Sequence, residues 1–426
     1  MDHKNRTRVS QLDFRNSDTK YATHVFHKYP AVMVGPVAKY CLNTWLKNQN
    51  KILDPFVGSG SVLVESAIQQ KMSIGVDLNP LAVLISKVKT RIISLEILLE
   101  YKKNLFSSLD LYLHNTILIN SLQIEIPDTI TNWDQWFSDL HLQQLLLIKS
   151  KILEIVPVQE YQEFFLVAFS ELIREASYTR NGEFKRFRMP KDKRDQFLFP
   201  VLSEFLKKVD RNIQGYRDYL NLLPKQASKF EPKVYFGNSK HLDFIEDASM
   251  NGILTSPPYG DSFTTVAYGQ FSSLSSEILG LNVIQPLRVD DYLMGGKKEQ
   301  RSTNISKIPS PHLHETLDII REKDGRRVID VERFFQDYFE VIQECNRVLK
   351  ENSKIVFVVG NRTVKNTWIE TDIITSEIFS DFGYKLNGIS IRDIPNKSMP
   401  SKNSPSNIKG DKVTTMVNEF IVVMER

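Results

Sequence analysis

The sequence predicts an α/β fold, a doubly wound sheet interrupted by a mostly helical insertion. Three observations carry this expectation. Residues 51–77 read as strand, glycine turn, helix, strand and closing acid, the opening of a parallel sheet with helical crossovers. From about Leu95 to Lys225 the alternation stops and apolar residues recur at helical spacing. Strand-like runs resume at Lys233, so the helical stretch is an insertion into one sheet.

Each element has a local reason. Lys51 to Leu53 approaches Asp54-Pro55-Phe56-Val57-Gly58-Ser59-Gly60, and Ser61 to Gln70 follows as a helix with Val62, Leu63, Ser66 and Ala67 on one side. Ser73 to Asp77 is a short strand ending in an acid. Asn79-Pro80 then starts a helix over Leu81 to Thr90. Within the insertion, Leu142 to Val156 and Tyr161 to Ala176 show the clearest helical spacing. Lys233 to Asn238 and Gly252 to Ser256 are strands, the second closed by Pro257-Pro258. Gly260 to Val331 reads as polar and irregular. Phe334 to Lys350 is an amphipathic helix, Lys354 to Gly360 a buried strand and Asp372 to Phe382 a helix. Tyr384 to Ile391 and Glu419 to Met424 are late strands, with a loop rich in Pro, Ser and Lys between them at Pro395 to Lys412. The chain thus divides into a first core part at 1–94, the helical insertion at 95–230 and the rest of the core at 231–426, within which 260–331 is a second insertion.

Composition narrows the class. Of 426 residues, 41% are hydrophobic and 25% charged, a globular mix that excludes a disordered chain. Two cysteines, Cys41 and Cys345, exclude a disulfide scaffold and a cysteine-rich zinc site, and suit a reducing, cytoplasmic location. Met1 to Ser10 lacks the apolar stretch of a signal peptide, and no apolar run reaches the roughly 18 residues that span a bilayer, so no membrane partner is expected. A net charge of +4 permits a polyanionic partner without demanding one. His24 and His27, and His312 and His314, lack clustered acids or thiols, so no metal site is expected.

Two stretches carry chemistry. In Asp54 to Gly60, Gly58 and Gly60 follow a strand and precede a helix, where free N–H groups and bare backbone let a ligand approach. The spacing does not match the Gly-x-Gly-x-x-Gly turn that holds a pyrophosphate, which disfavours an NAD-dependent dehydrogenase. Asp77 ends the next strand, where an acid can bind ribose hydroxyls. A phosphate-free adenosine ligand, S-adenosyl-L-methionine, suits this arrangement. The second stretch is Thr255-Ser256-Pro257-Pro258-Tyr259. Consecutive prolines stiffen the turn and remove two donors, leaving carbonyl acceptors. Ser256 adds a hydroxyl and Tyr259 a flat ring, a set that can grip an exocyclic amine while the ring stacks on its base.

Together these stretches resemble the amino-methylating DNA methyltransferases, a family with a Rossmann-like class I methyltransferase fold. Asp54 to Gly60 looks like their cofactor loop, and Ser256-Pro257-Pro258-Tyr259 looks like their catalytic tetrapeptide. The resemblance extends to Thr23 to Pro30, whose Tyr29 and Pro30 would pack over the methionine end of the cofactor. It also reaches Asn238, placed to contact the adenine ring, Val356 to Arg362 beside the target pocket, and the late segment Arg392 to Glu419. It implies a cofactor site made by Tyr29, Pro30, Asp54, Pro55, Phe56, Gly58, Gly60, Asp77 and Asn238. The Ser form of the tetrapeptide goes mainly with cytosine N4 in that family, and the Asp form with adenine N6. Ser256 therefore implies a site-specific cytosine-N4 methyltransferase acting on a flipped base in double-stranded DNA, the modification part of a restriction–modification system with a cognate endonuclease. The alternatives are adenine-N6 methylation, methylation of an RNA base amine, or a nucleic-acid-binding module without catalysis. Methylation at cytosine C5 needs a nucleophilic Cys, and neither Cys41 nor Cys345 stands in such a setting.

For DNA contact, Arg180, Lys185, Arg186, Arg188, Lys191, Lys193 and Arg194 form the densest basic stretch, with Phe184 and Phe187 interleaved. Lys297, Lys298 and Arg301, then Arg321, Arg326 and Arg327, then Lys397, Lys402, Lys409 and Lys412 are weaker candidates. Residues 95–230 are a candidate target-recognition or DNA-binding region and 260–331 a candidate DNA-contacting insertion, and the sequence leaves open which of the two reads the target.

Overall fold

The computed structural model describes residues 6–113, 115–122, 124–128, 130–180, 182–281, 283–296, 304–394, 402–403, 413–414 and 417–426. In chain order the main sheet is built from β1 (Arg6–Arg8), β2 (Lys51–Asp54), β3 (Met72–Asp77), β4 (Lys233–Phe236), β5 (Met250–Thr255), β6 (Leu349–Val359), β7 (Lys385–Asp393) and β8 (Asn418–Glu425). Their order across the sheet is β1-β7-β8-β6-β5-β2-β3-β4. Every pairing is parallel except those of β8, which runs antiparallel to both β6 and β7.

Helices cover both faces of this sheet. They are α1 (Gly35–Thr44), α2 (Ser61–Ile68), α3 (Pro80–Thr90), α4 (Leu95–Leu113), α5 (Thr116–Ser121), α6 (Asp139–Ile155), α7 (Gln159–Glu175), α8 (Lys191–Arg194), α9 (Val201–Leu222), α10 (Tyr268–Leu279), α11 (Pro311–Lys323), α12 (Arg327–Val348) and α13 (Thr371–Asp381). Strand side chains alternate between faces. Ile52, Leu254, Val356, Val358, Ile421 and Val423 pack against Val37, Cys41 and Leu42 of α1 and Val62 and Leu63 of α2. Leu53, Ile253, Ile355, Phe357, Val359 and Val422 turn to the other face, against Phe335, Tyr338 and Ile342 of α12 and Ile374 and Ile378 of α13. This two-sided burial explains why the central strands read as unbroken apolar runs.

The long helical stretch does not form a core of its own. Leu98, Leu105 and Leu109 of α4, with the apolar faces of α6, α7 and α9, join Val64 and Ala67 of α2, Leu81, Ile85 and Val88 of α3, and Leu274 and Ile278 of α10. Thus α2 is sandwiched, with Val62 and Leu63 on the sheet and Val64 and Ala67 on the added helices.

The expectation that Gly260 to Val331 is irregular is corrected. That stretch holds α10 and α11, and α12 begins at Arg327, seven residues before the expected start at Phe334. The α10 helix hides because it packs with serines. Ser272, Ser273, Ser275 and Ser276 are buried, and the hydroxyls of the first three donate to backbone carbonyls of Tyr268, Gln270 and Ser170. A small polar side chain that bonds to the backbone satisfies itself inside a helical layer without contributing to an apolar stripe. By contrast, α11 carries a readable signal. Ser310 caps it by accepting from Leu313 N–H, Pro311 opens it, and Leu313, Leu317 and Ile320 share its buried face. Among the described residues no helix is long and apolar enough to cross a membrane.

Candidate functional site

Strand order creates the site. From β2 the chain winds outward through β3 to β4, while β5 lies on the opposite side of β2 and leads to β6. Ligands in open α/β sheets bind at such a switch point, outside the carboxyl ends of the strands. Here those ends deliver Asp54 from β2, Asp77 from β3, Asn238 beyond β4 and Ser256 beyond β5.

A cleft opens there, holding about 900 Å³ of empty space, part of it continuous with solvent. Tyr29, Pro30, Asp54, Pro55, Phe56, Gly58, Asp77 and Asn238 line it, together with Ser256 and Pro258. Gly60, Pro257 and Tyr259 do not line it. Gly60 has a different task. It stands at the start of α2 with φ +84°, and a Cβ there would lie 2.9 Å from Ser86 Cβ of α3, so its bareness lets the two helices meet. Gly58, at φ +48°, points its N–H at Asp77 Oδ2 (2.9 Å).

The two acids are held differently from surface carboxylates. Asp54 Oδ1 accepts from the Thr255 hydroxyl (2.7 Å) and the Phe56 N–H (3.1 Å), tying the β2 turn to the end of β5. Burial pushes its carboxyl up to about 7. Asp77 accepts from Gly58 N–H and from Asn79 N–H (2.8 Å), yet burial still raises it to about 6. Asn79 continues the frame. Its Nδ2 donates to the Tyr29 hydroxyl (3.1 Å) and to Ser272 Oγ of α10 (3.1 Å), and the Tyr29 and Tyr268 rings stack at 6.1 Å. Among the described residues lining the cleft there are two Asp and neither Lys nor Arg. Such a wall offers a phosphate no cationic partner, and Asp77, once ionised, favours a cationic ligand.

Beyond the cleft, the tetrapeptide builds a short polar chain. The Ser256 hydroxyl lies 3.1 Å from the Tyr259 hydroxyl, which donates to Glu419 Oε1 (2.9 Å). Glu419 is in turn ion-paired with the buried Arg392. Burial and the Glu419 charge hold the Tyr259 hydroxyl far above its ordinary range, so it keeps its proton. Sequence reasoning did not single out Glu419 and Arg392 as site residues, nor Tyr268, Tyr292 and Met294 of the cleft wall. The acidic partner stands 160 residues from Tyr259, and no local signal connects them.

Cys41 and Cys345 are both buried, one in each sheet-face core, with thiols pushed up by burial. The His24 side chain is buried against Glu65 (2.9 Å), and His27 is buried as well, its Nδ1 2.8 Å from Lys28 O.

The basic stretch folds back on itself. Arg180 N–H donates to Phe187 O, and Met189 N–H to Tyr178 O. Arg180, Arg188, Lys191 and Lys193 are exposed, and Arg194 lies over the Tyr178 ring. Lys185 Nζ donates to Phe263 O (3.0 Å), docking the loop beside the segment that follows Tyr259. Arg186 departs from the expected surface role. Its guanidinium turns inward to Glu277 (3.2 Å) and Ser273 (3.1 Å) of α10 and lies 4.2 Å from the Trp136 ring centroid. Of the weaker candidates, Arg321 and Arg327 are ion-paired to Glu332 and Asp261, while Arg326 is exposed. Lys297, Lys298, Arg301, Lys397, Lys409 and Lys412 lie outside the described residues, as does the side chain of Lys402.

No family model matches the chain. It is similar to the Type II methyltransferase M.MvaI of Kocuria varians, with 37% identity over 430 residues that cover 97% of this chain and 93% of the relative.

Proposed function

The chain belongs to the Type II methyltransferase family, and on that premise we propose that it methylates the exocyclic N4 of cytosine within a specific site of duplex DNA. S-adenosylmethionine is the donor, the fold is Rossmann-like, and the enzyme acts as the modification partner of a restriction endonuclease. One observation carries the reading. An acid-lined cleft, with neither Lys nor Arg among its described lining residues, and the Ser256 turn share one opening at the carboxyl ends of adjacent strands, so a cationic donor and an amine acceptor would meet there.

The residues fit the donor. Asp77, Asn238, Tyr29 and Pro30 all line the cleft; on this reading Asp77 would bind the ribose hydroxyls, Asn238 the adenine, and Tyr29 and Pro30 the methionine end. When bound, S-adenosylmethionine would supply an electrophilic sulfonium methyl with a neutral thioether as leaving group, and the methylated amine would shed one proton to water. The protein's part is positioning and polarity. Cytosine N4 delocalises its lone pair into the ring and is a poor nucleophile. The Ser256 hydroxyl and the Pro257 carbonyl accept its hydrogens, localise that pair and hold the nitrogen in line with the methyl. Tyr259 stacks on the base, which must leave the helix because N4 is committed to pairing there. Both cysteines lie away from the cleft in apolar cores, which disfavours a covalent route through C5.

Methyl transfer to unmethylated duplex DNA and to RNA of the same sequence tests the reading. Ser256→Ala should lower the transfer rate to DNA roughly 10- to 100-fold, as for one lost hydrogen bond at a reacting group, with donor and duplex affinities nearly unchanged. Preferential labelling of RNA would move the assignment to the RNA base-amine enzymes.

A further inference from the structure

We infer that Glu419 is a positioning residue for methyl transfer: it sets the direction of a two-hydroxyl relay, so that the Ser256 oxygen can only accept from the target amine. The inference rests on the reading above and adds to it a residue that neither motif contains.

The supply of hydroxyl hydrogens fixes the direction of the relay. Ser256 and Tyr259 each own one hydroxyl hydrogen and can each donate or accept. Left alone, the Ser256 hydroxyl could turn its hydrogen toward the amine nitrogen and engage the lone pair that must attack. The Glu419 carboxylate, ion-paired with Arg392, has acceptors only. Tyr259 therefore spends its one hydrogen on Glu419 Oε1, 2.9 Å away. Its oxygen can then only accept from Ser256, 3.1 Å away, which consumes the Ser256 hydrogen. What remains on Ser256 toward the cleft is lone pairs, the groups that draw hydrogens from an amine.

The anchor is built into the sheet. Glu419 on β8 and Arg392 on β7 are direct partners in the antiparallel register, so the strand ladder holds the pair face to face. Arg392 is buried, and its Nε–H donates to Leu12 O (2.7 Å), which orients the guanidinium from behind. The relay is thus fixed at its far end by backbone pairing and reaches the amine site through two hydroxyls.

Single-turnover methyl transfer, with donor and duplex affinities measured beside it, tests the relay. Tyr259→Phe keeps the ring and removes only the hydroxyl. The rate should fall roughly 10- to 100-fold, the range for one hydrogen bond in a charged chain, while both affinities stay within about twofold. Glu419→Gln, whose amide presents a donor as readily as an acceptor, should also slow transfer, and should add little to Tyr259→Phe because it acts through that hydroxyl. A Tyr259→Phe protein that transfers at the wild-type rate overturns the relay, even if Glu419→Gln cannot be folded. Full additivity of the two losses overturns it too, because Glu419 would then act through the fold alone. If the wild-type protein methylates no DNA, the functional reading falls and the relay with it, an outcome distinct from failure of the relay alone.

Discussion

Asp77 holds a carboxyl at about 6 although the backbone N–H groups of Gly58, Leu78 and Asn79 point at it. Its ordinary value is 3.8, so the folded chain keeps a proton that the unfolded chain has already shed between about pH 4 and 6. This group's contribution to the stability of the empty protein is therefore fully present at low pH and declines as pH rises through that window. A cationic ligand reverses the preference, because it favours the ionised form. Donor binding should then strengthen from pH 5 to pH 7.5 with net proton release, measurable by calorimetry in buffers of different ionisation enthalpy. Asp77→Asn should flatten that profile and weaken binding at pH 7.5 by about 1–3 kcal/mol, the cost of losing a charged hydrogen-bond partner. An unchanged profile in a folded Asp77→Asn protein would remove Asp77 from the donor site.

At the scale of elements, the basic loop at 178–194 divides into a surface and an anchor. Arg188 and Lys191 are exposed, and neutralising both should weaken binding to every DNA sequence and reduce the slope of log affinity against log salt by about two units. A loss confined to one base position, with the slope unchanged, would make them base readers. Arg186 should behave as a structural residue. Replacing it with Ala leaves Glu277 unpaired inside the protein, and removing one partner of a buried pair costs about 3–5 kcal/mol. Chemical denaturation should show that loss, and a stability change below about 1 kcal/mol would contradict the buried-pair account. Nothing in the one-letter sequence separates Arg186 from Arg188. The difference arises from where α10 presents Glu277, and α10 was itself hidden by its buried serines.

For the whole molecule, what was legible was local. The alternation at 51–90, the glycine turn, the acid at Asp77 and the Ser256 turn all declare themselves within a few residues, and they converge on one cleft because β2 and β5 are neighbours at the switch point. The long interruption was legible as helices. Its merging with α2, α3 and α10 into one core was not, because those contacts join residues far apart in the chain. The same holds for Glu419, which meets Tyr259 only after β8 inserts between β6 and β7. The methylated base defines the reaction. The most direct measurement is nucleoside mass spectrometry of unmethylated genomic DNA after incubation with the pure protein and S-adenosylmethionine. The account predicts N4-methylcytosine, absent from the Ser256→Ala reaction. N6-methyladenine as the sole product, or no methylated base, would contradict it.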